Sequence, residues 1–396
     1  MMSNYHSYKN RLKGFTFPYA VLDLALFRKN IQRNLARAGN KKIRIATKSI
    51  RCVSATKMIL DSDPQFQGLM TYHGKEVLFL LREGFNDLLM GYPIVNEALI
   101  ELIGAAIKQG KRVCLMIDSQ AHLQLIDKVG KRLKTKIPVC IDLDLSDNYP
   151  GLRFGVWRSS IDSLPKLEKL LEHLKKLDYV RLKGLMGYEA QVAGVGDQVE
   201  GAALKNFLVY QLKKRSIKRL RQLRRQAIAL VESQGFDLDF VNGGGTGSLE
   251  TTAQEEVVSE VTVGSGFYNA HLFDNYRAFD LDPALFYAIE VVRQSNPGVY
   301  TCHGGGFIAS GAVEASKAPQ VYLPQTGYLD PLEGAGEVQS PIRFKTLSEP
   351  LQLGDPVFLR HAKSGELCER FKTLVVLDGE NRREWATYRG NNCTFG

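Results

Sequence analysis

Eight short apolar runs alternate with longer amphipathic segments between about Ile43 and Tyr268, and no other feature constrains the fold as strongly. The candidate strands are IRIATK, GLMTY, DLLMGY, RVCLMID, VCIDLDL, LKGLMGY, DFVNGGG and EVTVGSG. Helical patterns such as EALIELIGAAIKQG and LPKLEKLLEHLKKL lie between them. A strand followed by a helix, repeated in this way, favours parallel strands that close into a TIM-like (β/α)8 barrel. An open doubly wound sheet is the alternative.

The pattern changes after about Ala278. The segments FYAIEVVRQ, APQVYLP, PVFLRH and KTLVVLDG are short, β-rich and separated by Gly, Pro and Asp turns. A length of 396 residues suits two domains. We therefore predict an α/β barrel in residues 1–280 and an all-β domain in residues 281–396. The N-terminal arm, residues 1–20, could join the β-domain.

The sequence predicts a cytoplasmic protein. It contains no apolar run near the roughly 20 residues that span a bilayer, so we expect no membrane partner. The segment MMSNYHSYKNRLKGF lacks an apolar signal-peptide core. The 6 cysteines are scattered without a CxxC pair, which is typical of reduced thiols.

Much of the net charge of +10 lies in LKKRSIKRLRQLRRQ, Leu212 to Gln226. Leu212, Ile217, Leu220 and Leu223 recur there at helical spacing, which predicts an amphipathic helix with a basic outer face. A nucleic-acid-binding protein is one interpretation of this charge. No nucleic-acid-binding motif accompanies the helix, so we favour a solvated face and predict no nucleic-acid partner.

Polar residues and glycines stand at the predicted carboxyl ends of the strands, where barrels of this kind collect their chemistry. The polar residues are Lys48, Tyr72, His73, Tyr92, Asp118, Asp142, Asp144, nearby Arg153, Tyr188 and Glu189. The last two ends are glycine-rich: NGGGTGS, Asn242 to Ser248, and VGSGFY, Val263 to Tyr268. Glycines let backbone amides approach an anion closely, and phosphate sites in barrels often use the loops after strands seven and eight. The pattern predicts a phosphate-binding cup faced by a lysine.

Other phosphate and nucleophile motifs are missing from the sequence. NGGGTGS lacks the Gly-Lys-Ser/Thr ending of a P-loop, and no GxGxxG follows the first strand. CHGGGF, Cys302 to Phe307, resembles the oxyanion loop of lipases, but no GxSxG nucleophile elbow occurs. A lysine beside a phosphate cup is suited to a Schiff base with pyridoxal phosphate.

Several segments in the same order carry a family resemblance. They are FTFPYAVLDLALFRKNI, RIATKSIR, DLLMGYPIV, DLDLSDNYPGLRFGV, GLMGYEAQVAG, NGGGTGS and GSGFY. With them the chain resembles the fold-type III pyridoxal-phosphate enzymes with an alanine-racemase-like barrel. Within that class it is most similar to the D-threonine aldolase and D-serine dehydratase group. The resemblance covers both predicted domains.

The resemblance implies roles for individual residues. Lys48 would carry the cofactor and act as a base once a substrate amine displaces it. Arg153 would contact the cofactor's phenolate oxygen, with an ion pair to Asp142 or Asp144 as the alternative, and Tyr188 would lie near the pyridine ring. The remaining cofactor-binding candidates are Tyr72, Gly244, Gly245, Thr246, Gly264, Ser265, Gly266 and Tyr268.

The largest departure from the group lies in RHAKSGELCERF, Arg360 to Phe371. In the group a His-x-Cys or His-x-Asp pair holds a divalent metal. His361 matches the histidine, but Lys363 replaces the second ligand, and a protonated lysine cannot bind metal. Glu366 and Cys368 are possible substitutes. We favour metal-independent chemistry, in which the ammonium of Lys363 polarises a hydroxyl or holds a substrate carboxylate, and count His361 and Lys363 as catalytic candidates.

The expected function is therefore that of a pyridoxal-phosphate-dependent lyase, an aldolase or dehydratase, acting on a small D-β-hydroxy-α-amino acid. An amino-acid racemase is the first alternative and a non-catalytic pyridoxal-phosphate carrier the second. The resemblance also implies a homodimer. CHGGGF and GAGEVQSP are predicted loops that reach toward substrate, from this chain or its partner, with His303, Glu337 and Gln339 as their polar groups.

Overall fold

The computed structural model describes residues 4–149, 151–312 and 314–396. Its helices are α1 (Asn4–Arg11), α2 (Leu24–Ala38), α3 (Val53–Ser62), α4 (Gly74–Arg82), α5 (Glu97–Lys108), α6 (Gln120–Leu133), α7 (Leu164–Leu174), α8 (Ala190–Ala193), α9 (Ala203–Ser233), α10 (Leu249–Ala253), α11 (Ser265–Tyr268) and α12 (Ser364–Cys368). The strands β1 to β11 are Tyr19–Asp23, Lys42–Ala46, Phe66–Thr71, Leu88–Pro93, Val113–Ile117, Ile137–Asp142, Asp147–Tyr149, Leu152–Phe154, Val180–Gly187, Phe240–Gly243 and Glu260–Val263. The strands β12 to β19 are Leu285–Asn296, Val299–His303, Gln320–Leu323, Gly327–Leu329, Gln339–Phe344, Pro356–Arg360, Thr373–Asp378 and Asn381–Ala386.

A closed parallel barrel forms the first part of the fold. Its strands are β2, β3, β4, β5, β6, β9, β10 and β11, and β11 closes on β2 with Val263 opposite Ile45. All the apolar runs proposed as barrel strands are found in it. The barrel prediction is therefore confirmed, and the open doubly wound sheet is wrong. An antiparallel hairpin of β7 and β8, which the apolar pattern did not predict, follows β6.

The interior of the barrel is rich in sulfur. Side chains that alternate along the strands form a buried cluster below the carboxyl ends: Leu89, Cys114, Met116, Cys140 and Met186, with Met70 and Phe240 packed against it. At the opposite end Arg44 forms ion pairs with Glu260 and Asp87. The mouth of the barrel therefore lies above an apolar floor.

The second part of the fold is a nine-stranded sheet. It contains β12 to β19 together with β1, which pairs antiparallel with β12 and parallel with β18. The N-terminal strand thus lies inside the sheet built by the C-terminal half. Asp23 ends β1 and caps α2, since its carboxylate accepts hydrogen bonds from Ala25 N and Leu26 N at 2.9 and 3.2 Å.

The predicted basic helix is part of α9, which has 31 residues. Its outer face carries exposed Lys214 and Arg215, but the buried face is not purely apolar, because it contains Lys213 and Arg224. Arg224 is fully buried between Glu189 and Glu255. Part of the positive charge assigned to the outer face therefore balances internal carboxylates. Neither α9 nor another helix in the described ranges has the length and apolar character needed to cross a membrane.

Candidate active site

A cavity of about 1050 Å³ opens at the carboxyl ends of the barrel strands. Residues 362–366, which follow β17 of the second sheet, form part of its wall. Eight of the predicted site residues line it: Lys48, Tyr188, Gly244, Gly245, Thr246, Gly264, Ser265 and Lys363. The cavity therefore brings together the lysine and both glycine loops.

Lys48 lies in a 3-10 turn, Thr47–Ser49, directly after β2. Its ammonium Nζ donates a hydrogen bond to Tyr92 Oη at 2.7 Å, and Tyr92 lines the cavity from β4. Residues 362–366 pack closely on this turn: a Cβ at Gly365 would lie 1.9 Å from Lys48 O. Only glycine fits there, so the second sheet and the Lys48 turn are matched in shape.

The two glycine loops form a cradle of backbone amides. A Cβ at Gly247 would lie 2.4 Å from Tyr276 Cε1, and one at Gly264 would lie 2.8 Å from Ala46 O. Within the described residues, the amides of Gly245, Thr246, Gly247 and Ser265 have no hydrogen-bond acceptor. Grouped amide donors of this kind suit a phosphate.

Side chains tie the two loops to each other and to the Lys48 turn. Gly266 N donates to Thr246 Oγ1 at 3.0 Å, and Ser265 Oγ donates to Ser49 Oγ at 3.1 Å. Gly266 is thus engaged within the protein and does not line the cavity.

Buried Glu189 fixes the first glycine loop from behind. Its carboxylate accepts hydrogen bonds from Gly244 N at 2.9 Å, Thr252 Oγ1 at 2.9 Å and Arg224 Nη2 at 2.5 Å. Sequence reasoning noted Glu189 at a strand end without assigning it a role. Its partner Arg224 stands 35 residues away, among other basic residues, so nothing local identified the pair.

Three carboxylic acids occupy the opposite wall, at the ends of β5 and β6. Asp118 Oδ1 lies 3.0 Å from His122 Nδ1, and Asp144 accepts hydrogen bonds from Arg153 Nη2 at 2.6 Å and Ser146 N at 2.7 Å. Asp142 is different, because its side chain has no such partner in the described part of the chain. Burial raises the pKa of Asp142 to about 7, with further contributions from Asp118 and Asp144.

Arg153 is engaged in the ion pair with Asp144, which the sequence had left open as an alternative. Its guanidinium also stacks 3.8 Å from the ring centre of Trp157, and it does not line the cavity. Arg158 lines the cavity instead, with Cζ 5.8 Å from the ring centre of Tyr188. Burial raises the pKa of Tyr188, and the positive charges of Lys48 and Arg158 act in the opposite direction. Sequence reasoning missed Arg158, because no local pattern distinguishes it from its neighbours.

Tyr72, Tyr268 and His361 lie outside the cavity lining. The Arg51 guanidinium covers the Tyr72 ring at 4.8 Å, and the fully buried Tyr268 donates a hydrogen bond to Ile50 O at 3.3 Å. His361 is buried with Nε2 3.0 Å from Ser364 Oγ. Burial and nearby His271 hold the pKa of His361 well below its ordinary value, so its imidazole is neutral.

The ammonium of Lys363 lies at the cavity edge, bonded to Ser310 O at 2.7 Å and Ser310 Oγ at 2.9 Å. Glu366 lies 3.5 Å from it and also accepts a hydrogen bond from Ser310 N at 2.8 Å. Cys368 is buried, and burial raises the pKa of its thiol. Across residues 4–149, 151–312 and 314–396, no group of three or more His, Cys, Asp or Glu is placed to hold a metal ion.

The loops CHGGGF and GAGEVQSP bind each other. Gly304 N donates to Val338 O at 2.5 Å, and Ser340 Oγ donates to Gly304 O at 2.6 Å. His303, Glu337 and Gln339 do not line the cavity of their own chain. The prediction that they reach toward substrate is not supported within one chain.

A closed α/β barrel with a lysine between two amide-lined loops at its mouth defines a class of barrel protein whose site geometry suits a phosphorylated ligand. Comparison with protein families is consistent with this class. The chain matches the family "Alanine racemase, N-terminal domain" over residues 22–271 and belongs to it. The resemblance inferred from its motifs is thereby confirmed.

Two curated relatives are similar over much of their length. D-threonine aldolase of Arthrobacter sp. is 24% identical over 292 residues, which are 71% of this chain and 69% of the relative. The 3-hydroxy-D-aspartate aldolase of Paracoccus denitrificans is 20% identical over 250 residues, 63% of this chain and 59% of the relative.

Solved structures share the whole fold. D-threonine aldolase from Filomicrobium marinum superposes with a TM-score of 0.78 at 17% identity and covers 95% of both chains. D-threo-3-hydroxyaspartate dehydratase from Delftia sp. HT23 has a TM-score of 0.76 at 19% identity, covering 94% of this chain and 98% of the other. Alanine racemase from Clostridium difficile 630 is more distant, with a TM-score of 0.66 at 15% identity and coverage of 95% and 100%.

Proposed function

We propose that the protein is a pyridoxal-phosphate-dependent lyase that cleaves or dehydrates a small D-β-hydroxy-α-amino acid. The observation that carries the proposal is the meeting of Lys48 with the unsatisfied amides of both glycine loops in one cavity. The relatives named as aldolases and a dehydratase support lyase chemistry over racemisation.

The residues present fit pyridoxal phosphate. The amides of Gly245, Thr246 and Ser265 would hold its phosphate, because these residues line the cavity and their amides have no acceptor among the described residues. Lys48 would supply the amine that binds its aldehyde. When bound, the cofactor supplies an electron sink for the bonds around a substrate's α-carbon.

The chain's own side chains then position the amine and move protons. Lys48 Nζ donates a hydrogen bond to Tyr92 Oη at 2.7 Å. Tyr92 therefore positions the lysine amine when no cofactor is attached to it. A lysine held in this way can accept or return a proton at the substrate. Lys363, kept at the cavity edge by Ser310, would hold a substrate carboxylate or polarise the β-hydroxyl, and we retain chemistry without a metal as part of the proposal.

Absorbance and turnover test the proposal. The purified protein should show an imine band near 420 nm that borohydride bleaches, with D-threonine or D-serine turned over and D-alanine not racemised. Lys48→Ala should lose both band and turnover, whereas Lys317→Ala, at another lysine of the cavity wall, should keep the band. A Lys48→Ala protein as yellow and active as wild type would refute the proposal. A band without turnover would favour the carrier alternative.

We also propose a homodimer in the cytoplasm and a domain boundary near residue 280. The structural change from barrel to β-sheet between β11 and β12 supports that boundary, with β1 as a strand contributed to the second domain. Light scattering of the purified chain should give twice the mass of 44.3 kDa.

A further inference from the structure

Asp142 occupies the inner face of the barrel at its mouth. It ends β6, and Cys140, two residues before it on the same face of the strand, belongs to the buried cluster inside the barrel. Its neighbour across the β6–β9 pair is Met186, also in that cluster. Asp142 therefore has an apolar floor beneath it and the cavity above it.

Asp142 and the two neighbouring acids differ in whether their side chains have partners. Asp118, from the end of β5, has His122, and Asp144 has Arg153 and Ser146 N. Ser159 binds only the main-chain oxygen of Asp142, at 2.6 Å. Arg158 lines the same cavity and its positive charge acts to lower the pKa of Asp142, and none of the described ion pairs includes Arg158. Of the three acids, only Asp142 presents an unoccupied carboxyl to a ligand.

We propose that Asp142 is held as a neutral carboxylic acid and donates a hydrogen bond to an anionic oxygen of the ligand bound in the cavity. The proposal rests on the proposed function for the identity of that ligand. The oxygen belongs either to the cofactor's ring or to a substrate carboxylate, since both are anionic acceptors that an acid, but not a carboxylate, can bind.

The surroundings account for the neutral form. Burial above the sulfur-rich floor disfavours the charged carboxylate, and the anionic Asp118 and Asp144 on either side disfavour it further. Arg158 acts in the opposite direction but does not cancel these effects, so the pKa of Asp142 is raised to about 7. An anionic ligand oxygen would raise this pKa again, which strengthens the hydrogen bond when the cavity is filled.

Comparing Asp142→Asn with Asp142→Ala separates the effect of hydrogen-bond donation from the effect of side-chain size. Asparagine keeps a hydrogen-bond donor that cannot ionise, whereas alanine removes the donor. If the cofactor's ring oxygen is the acceptor, we expect Asp142→Asn to bind pyridoxal phosphate within about twofold of wild type and Asp142→Ala to bind about tenfold more weakly, the loss of one hydrogen bond to a charged acceptor. If a substrate carboxylate is the acceptor, the roughly tenfold change should appear in KM for D-serine instead, with cofactor affinity unchanged. Asp162→Asn, an exposed aspartate paired with Lys166, is the matched control. Circular dichroism verifies that each variant is folded.

The pH dependence of the absorbance reports which oxygen is bound. If the ring oxygen is the acceptor, the wild-type cofactor band should titrate near or above pH 7 without substrate, and Asp142→Asn should remove that transition. If a substrate carboxylate is the acceptor, the wild-type KM for D-serine should show a pH transition that Asp142→Asn removes. The cofactor band should then have the same pH dependence in both proteins. Equal cofactor affinity and equal substrate KM in Asp142→Ala and wild type would overturn the contact.

Infrared spectroscopy tests the protonation state without any cofactor. The wild-type minus Asp142→Asn difference at about pH 6 should contain a protonated-carboxyl stretch. Subtraction is needed because buried Glu76 also has a pKa raised to about 7 and contributes the same band to both proteins. A difference spectrum showing only carboxylate would overturn the neutral state. Absence of any cofactor band would refute the proposed function and the ligand contact, while this difference would still decide the protonation of Asp142.

Discussion

The two walls of the cavity differ in whether their polar side chains have hydrogen-bond or ion-pair partners within the protein. On the wall of the glycine loops nearly every polar side chain has a partner: Glu189 binds Arg224 and Gly244 N, and Thr246 binds Gly266 N. On the wall at the ends of β5 and β6, Asp142 and Arg158 face the cavity without such partners. The side chains of the first wall are paired before a ligand arrives, and the second wall leaves polar groups without partners for the ligand to bind.

This difference follows from what each wall is proposed to hold. A phosphate is the same in every catalytic cycle, so rigid amides fixed from behind suit it. Fixing them requires buried charges, and Arg224 is tolerated inside the protein because two carboxylates flank it. The substrate end of a ligand changes during the reaction, so free groups there can form contacts that the resting protein lacks.

The largest effect should come from changing Glu189, which fixes the wall of the glycine loops. Glu189→Gln leaves buried Arg224 with Glu255 as its remaining carboxylate and removes the charged acceptor of Gly244 N. We expect a loss of about 3 kcal/mol in the free energy of unfolding, since removing one partner of a buried ion pair strands the other. Urea denaturation measures it.

Glu97→Gln is the matched control for that experiment, because Glu97 pairs with Lys128 and Arg132 on the exposed surface. It should leave the unfolding midpoint unchanged. Similar losses in both variants would show that the Glu189 network does not stabilise the fold more than a surface pair does.

A smaller but more local effect is expected at Gly247. Valine there would place its Cβ 2.4 Å from Tyr276 Cε1 and 2.5 Å from Ala193 O, so the loop must shift. Overpacking of this kind costs about 1–3 kcal/mol. If cofactor binding requires the unshifted loop, this cost makes binding roughly five- to 150-fold weaker. Equilibrium dialysis with pyridoxal phosphate measures it. Ala229→Val, on the exposed face of α9, should bind normally, and unchanged affinity in Gly247→Val would contradict a preformed cradle.

The contrast between the walls also explains what the sequence could predict. The barrel strands and both glycine loops were found because hydrophobic period and glycine content are local signals. The role of Glu189 was not found, since its partners Arg224 and Thr252 come from distant segments. The loops were therefore visible in the sequence, and the network that fixes them was not.

Arg153 and Arg158 show the same limit on the other wall. Both lie in the segment between β6 and α7, and the resemblance selected Arg153. The hairpin of β7 and β8 places Arg153 against Asp144 and Trp157, while Arg158 comes to line the cavity. Side-chain direction after a short hairpin depends on backbone geometry that hydrophobic periodicity does not report.

Next in size is the effect of pH on stability through Asp142, on the wall at the ends of β5 and β6. The pKa of Asp142 is about 7 when folded and 3.8 in its ordinary state, so between these values the unfolded chain releases a proton that the folded chain retains. The wild-type free energy of unfolding should therefore fall as pH rises through this window and level off above it. Asp142→Asn removes this term and should gain stability relative to wild type between about pH 4 and pH 8. The full linkage is about 1.4 kcal/mol per unit, and we expect about 2 kcal/mol in total because the cavity hydrates the carboxyl. If the free energy of unfolding changed with pH in the same way in both proteins, it would contradict surroundings that favour the neutral carboxyl of Asp142.

The smallest effect on stability is expected at Lys363, at the edge of the cavity. Its ammonium is partly exposed and bonded to Ser310, so Lys363→Met should change the free energy of unfolding by less than about 1 kcal/mol. If the ammonium holds substrate, kcat/KM should fall about tenfold, equivalent to one charged hydrogen bond, while the cofactor band stays constant. Exhaustive dialysis against EDTA should leave wild-type activity unchanged. Activity that vanishes on dialysis and returns with zinc or manganese would instead assign the hydroxyl-activating role to a metal, and Lys363 would then be a surface lysine at the edge of the cavity.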